Sequence, residues 1–144
     1  RMVAAMAPNC PGQVTFFAVD PHHPVLATHR AQGKRVLYVQ DGHIVAQEGA
    51  HQVRVSLKEV PLTQNGAIGF QVENAMASIG AAWAVNLSWA FICQGLSTFV
   101  SDTQAVPGRF NMFSYKGATI IADYGHNPDA IKALVQAVTN LHYV

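Results

Sequence analysis

The chain has 144 residues, half of them hydrophobic and only 12% charged, with a formal net charge of +1. That composition supplies a core and excludes a disordered chain. With no Lys/Arg cluster, nucleic-acid binding through phosphate neutralisation is excluded as a function class.

Met2 to Ala7 reads as the end of a helix, and Pro8-Asn9-Cys10-Pro11-Gly12 as a turn. Val14 to Val19 is an unbroken apolar run, so a buried strand is expected. His23 to Gln32 is a short helix closed by Gly33. Asp41-Gly42 between the β-rich runs Arg35–Gln40 and His43–Gln47 predicts a hairpin. Val53–Leu57 and Ala67–Val72 extend it as two further strands, giving a small antiparallel meander. Glu73 then opens a helix with Met76, Ile79, Trp83 and Leu87 at helical spacing, and Gly80 and Ala84 allow a close neighbour. Ser88 caps the next helix, whose apolar stripe is Trp89, Ile92, Leu96 and Phe99. The span from Glu73 to Asp102 has no charge and is long enough to cross a bilayer. Asn86, Ser88 and Gln94 interrupt it, so two buried helices are expected instead, with no membrane contact.

Val106-Pro107-Gly108-Arg109 reads as a linker. Phe110–Tyr115 and Ala118–Asp123 are strands joined at Lys116-Gly117, with Thr119–Ala122 expected to be buried on both faces. Asn127 caps a final helix with Pro128 at its first position, and Ile131, Leu134, Val135, Val138 and Leu141 are its expected buried face. The chain starts without Met and stops inside a helical pattern, which suggests a piece of something longer. Cys10 and Cys93 form no CxxC, as fits structural thiols of a cytoplasmic protein.

Chemistry concentrates at three places. Asp123 ends a strand and is followed by a short loop and a helix start, where free N–H groups and the dipole favour an anion. A carboxylate there can accept from ribose hydroxyls, or Asp123 and Asn127 simply cap the turn. Arg109 follows Pro-Gly at a joint and can clamp a phosphate, or is a plain surface arginine. Gln71 and Asn74 lie three apart at a helix entry, where two amides can read adenine, or Asn74 caps the helix. His22, His23 and His29 match no zinc spacing, so no metal site is expected. Gly33-Lys34 is not a phosphate loop, because Thr28 stands where Gly is needed and Arg35 follows the lysine.

Gln71-Val72-Glu73-Asn74-Ala75-Met76-Ala77, Val106-Pro107-Gly108-Arg109-Phe110-Asn111 and Asp123-Tyr124-Gly125-His126-Asn127-Pro128-Asp129-Ala130, in that order, resemble the successive motifs of the Mur ligase superfamily. The wording is most similar to its cyanophycin synthetase branch, and the likeness runs over essentially the whole chain. The resemblance implies an α/β fold. Residues 1–105 would be the latter part of a P-loop-type central ATPase domain with the small meander. Residues 106–144 would be the hinge and start of a Rossmann-like C-terminal domain. It implies an ATP-dependent acid–amino-acid ligase, with ATP, magnesium and an amino-acid or peptide substrate. Within the cyanophycin synthetase branch the implied reaction adds arginine to an aspartate-chain carboxylate. Gln71 and Asn74 would contact adenine, Arg109 the phosphates and Asp123 the ribose, while His126 and Asn127 would shape the pocket.

The family usually has Ala where this chain has Gly125, which loosens the loop before His126. The phosphate loop and the metal-binding acids of the family have no counterpart here, so the chain alone is expected not to catalyse ligation. A folylpolyglutamate or peptidoglycan-precursor ligase remains open, as does a non-catalytic nucleotide-binding or scaffolding module. Oligomeric state is not legible, a homo-oligomeric parent being compatible with the residues.

Overall fold

The computed structural model describes residues 3–141. A short β-α-β unit leads the fold: β1 (Phe16–Ala18), α1 (Pro24–Ala31) and β2 (Val36–Gln40), with β1 parallel to β2. Antiparallel strands β3 (His43–Glu48) and β4 (His51–Ser56) complete a four-stranded sheet in the order β1-β2-β3-β4. The β2–β3 turn is the expected one: Asp41 and Gly42 both take positive φ, 50° and 70°, as a two-residue primed hairpin requires.

Alternation sends the sheet's residues to two cores. Leu37, Ile44, Ala46 and Val55 pack with Val72, Ala75, Met76 and Ile79 on one face. Val36, Tyr38 and Val45 pack with Leu26 of α1 on the other. The first core is covered by α2 (Gly69–Ala84) and α3 (Trp89–Thr98). Gly80 lets α2 lie against the sheet, since a methyl there would sit 3.4 Å from Leu37 Cδ1. Asn86, at φ 59°, ends the α2 turn, and Ser88 Oγ accepts from Phe91 N–H to cap α3.

Several sequence expectations give way. The N-terminal helix is a 3-10 turn, Ala4–Asn9, and Met2 lies outside the described residues. β1 is a three-residue edge strand rather than a buried one, and Phe17 and Val19 are exposed. Ala67–Val72 is not a strand: α2 begins at Gly69, four residues before Glu73. The burial sequence Ile68, Val72, Ala75, Met76, Ile79 continues the helical period upstream, which the β-branched residues disguise. Leu87 falls beyond the helix and, like Phe99, is exposed.

After an irregular segment, β5 (Asn111–Tyr115) and β6 (Ala118–Ala122) form an antiparallel ribbon, followed by α4 (Pro128–Leu141). Thr119–Ala122 is not buried on both faces: Ile121 packs with Leu134 and Leu141 of α4 against the Ile68–Phe110–Ala137 cluster, whereas Thr119 and Ile120 are exposed. The inward centre of α4 is Ala137, flanked by Leu134 and Leu141, while Ile131 and Val135 point out to solvent. Ile68, Phe110 and Ala137 form a third core that joins α2 to the ribbon and α4. Asn140 Nδ2 adds a 3.0 Å donation to the Ala67 carbonyl across the same joint.

No helix is long and apolar enough to cross a membrane among the described residues.

Candidate functional site

Gln71 and Asn74 sit in the first two turns of α2, so the capping role for Asn74 is excluded: the helix starts at Gly69 with Ile68 at its cap. Asn74 Nδ2 donates to Gln71 Oε1 at 2.9 Å, locking the two amides edge to edge. Gln71 is buried and Asn74 exposed. One mutual bond uses a quarter of each amide's capacity, leaving donors and acceptors for a ligand.

Arg109 lies on the irregular segment, and its guanidinium takes part in no ion pair among the described residues. Asp123 stands just past β6. Its Oδ1 accepts from Gly125 N–H at 2.7 Å and its Oδ2 from Phe110 N–H at 3.0 Å. The turn-capping reading of Asp123 is thus satisfied, and the carboxylate keeps lone pairs for further donors. Asn127 Oδ1 accepts from Ala130 N–H at 2.9 Å, the N-cap that the Asn-Pro pair predicts. His126 Nδ1 lies 3.2 Å from the Tyr124 carbonyl, and the two rings are 5.5 Å apart.

All six candidates, Gln71, Asn74, Arg109, Asp123, His126 and Asn127, line one cleft of about 600 Å³ between α2, the irregular segment and the start of α4. Such a volume suits a small ligand. The cleft offers paired amides at one wall, a guanidinium at another, and the positive end of the 14-residue helix α4. These groups can bind and orient an anionic, polyhydroxylated molecule that carries a flat polar ring.

His22, His23 and His29 do not line that cleft. His29 is buried, donates Nε2–H to the Val14 carbonyl at 2.9 Å and meets Phe16 edge-on, which makes it part of the core. No three metal-ligating side chains cluster among the described residues.

Sequence reasoning passed over Asn111 and Ser101. Asn111 is 2% exposed, and its amide bonds Gly108, Val106 and Ser101. Its signal was its position, an Asn three residues after a Pro-Gly pair, where a short amide side chain can bond nearby backbone.

Residues 108–143 match the family described as Mur ligase, glutamate ligase domain. A cyanophycin synthetase of Synechocystis sp. is 34% identical over 143 residues, 98% of this chain and 16% of that protein. One of Crocosphaera subtropica is 33% identical over 141 residues, 96% of this chain and 16% of that protein. A UDP-N-acetylmuramoylalanine–D-glutamate ligase of Desulfitobacterium hafniense is 32% identical over 138 residues, 94% of this chain and 26% of that protein. The chain therefore spans only 16% of the length of those cyanophycin synthetases.

Proposed function

The chain is a homologue of Mur ligases and cyanophycin synthetases, and on that premise we propose that it is the nucleotide-holding portion of an ATP-dependent amide ligase. The observation that carries the reading is the single cleft lined by Gln71, Asn74, Arg109, Asp123, His126 and Asn127. In it the Gln71–Asn74 amides pair with adenine, Asp123 accepts from ribose hydroxyls, and Arg109 meets the phosphates. His126 and Asn127 close the wall at the start of α4.

In such a ligase a carboxylate oxygen attacks the γ-phosphorus of ATP and ADP leaves, giving an acyl phosphate. An amine then attacks the acyl carbon and loses a proton, and phosphate departs. Holding ATP in line is the part that falls to these residues. Residues 1–105 and 106–144 act as two domains that meet at the Val106–Arg109 joint, with the cleft between them. The one carboxylate among the six site residues, Asp123, is already held by two backbone N–H groups, and no other ligand cluster exists among the described residues. These residues do not fit a magnesium site.

The acid and amine are proposed to be those of cyanophycin synthetase, an aspartate-chain carboxylate and arginine. The similarity to the D-glutamate ligase keeps a peptidoglycan-precursor substrate as the second reading. Calorimetric titration with ATP tests the cleft: saturable binding is expected, weakened by about 1–3 kcal/mol in Asn74→Ala. Absence of ATP binding, or binding indifferent to both Asn74→Ala and Arg109→Ala, overturns it.

A further inference from the structure

Arg109 projects from residues 99–110, which lie outside any helix or strand. The backbone on both sides of it is left-handed, with Gly108 at φ 70° and Phe110 at φ 52°. Glycine adopts that region freely. A phenylalanine does not, and such a residue persists only where its surroundings over-determine it.

Those surroundings are specific. The Phe110 ring is buried with Ile68 and Ala137 and meets Phe70 edge-on. Its N–H donates to Asp123 Oδ2. Buried Asn111 then spans the segment: Oδ1 accepts from Gly108 N–H at 2.7 Å, and Nδ2 donates to the Val106 carbonyl at 3.2 Å and, more weakly, to the Ser101 carbonyl at 3.5 Å. Ser101 Oγ donates to the Arg109 carbonyl at 2.9 Å, and Tyr124 N–H to the Gly108 carbonyl at 2.9 Å. Both polar groups of Gly108, the carbonyl of Arg109 and the N–H of Phe110 are thus all held. Only the Arg109 side chain, exposed on the cleft wall, is left to respond to a ligand.

We infer that Asn111 is a positioning residue, which fixes the Val106–Phe110 turn so that the Arg109 guanidinium meets the phosphate end of the ligand. The inference rests on the nucleotide reading of the cleft. An Asn111 that merely stabilised the start of β5 would affect every cleft ligand alike. One that aims Arg109 affects phosphorylated ligands selectively.

The test is calorimetric binding of ATP and of adenosine to the chain as wild type, Arg109→Ala, Asn111→Ala and the double variant. The ratio of the two affinities isolates the phosphate end. Arg109→Ala is expected to lower that ratio about tenfold, the loss of one charge-assisted contact. Asn111→Ala is expected to lower it by a comparable factor and to add nothing in the Arg109→Ala background. A ratio unchanged by Asn111→Ala, or losses that multiply in the double variant, overturns the assignment. A wild type that binds neither ligand, or an Arg109→Ala variant with an unchanged ratio, overturns the reading of the cleft instead. Should Asn111→Ala fail to fold, Asn111→Asp retains the acceptor for Gly108 N–H, gives up the two donations, and decides the question by the same comparison.

Discussion

Val36, Leu37, Ile44 and Val45 in β2 and β3 are chemically of a kind with Met112, Phe113, Tyr115 and Ile120 in β5 and β6. The first four are fully buried and the second four are each at least 40% exposed. The four-stranded sheet has helices on both faces, α1 on one and α2 with α3 on the other. The ribbon has α4 on one face only, through the small Ile68–Phe110–Ala137 core that Ile121 joins. Order in the first region therefore comes from apolar burial. In the second it leans on side chains that bond backbone: Asn111 across the linker, Asp123 to Phe110 and Gly125, Asn127 at the head of α4, and Asn140 to Ala67. The two regions should fail in different ways.

Leu37→Ala should have the largest effect. It empties a fully buried site and is expected to cost about 2–5 kcal/mol, read as a lowered urea midpoint. Asp123→Ala should come next. It strips the acceptor from two backbone N–H groups, at about 1–3 kcal/mol, and hydrogen exchange at Phe110 and Gly125 should quicken while Leu37 stays protected. If Asp123→Ala opens β2 as readily as β5, the two regions are one cooperative unit and the contrast fails. Asn127→Ala should remove about 1 kcal/mol through loss of the α4 cap, seen as faster amide exchange in its first turn. Arg109→Ala should be the smallest in stability, within about 0.5 kcal/mol, while ATP affinity falls. A large loss of stability there would make Arg109 a structural residue.

What could be read from the chain alone divides along the same line. The Asp41-Gly42 hairpin, the Ser88 and Asn127 caps and the Gly33 stop are local chemistry, and each appears where the residues demand. Sequence and structure part where burial depends on distant partners. Ile120 and Ile121 are equally apolar, but nothing in their own segment reveals that α4 covers only the face of Ile121 and leaves Ile120 exposed. Val14–Val19 fails likewise, because an edge position is decided by what pairs beyond it. Ala67–Val72 reads as a strand because Ile68 and Val72 favour one, whereas their spacing with Met76 and Ile79 is helical. Around the cleft, the chemistry of Asn74, Arg109 and Asp123 was legible as residue types. The dual attachment of Asp123 and the reach of Asn111 depend on a folded linker and left no pattern in spacing.

Trp83 and Trp89 are the chain's two tryptophans, and both belong to the sheet side. Their rings lie 5.4 Å apart, and the Arg35 guanidinium sits 4.5 Å above Trp83. Indole emission is consequently a private optical channel for the first region, quenched or shifted when α2 leaves the sheet and blind to melting of the ribbon. The far side carries tyrosines but no indole, so an added tryptophan at Phe113 would give it a signal of its own and let the two losses of order be timed separately.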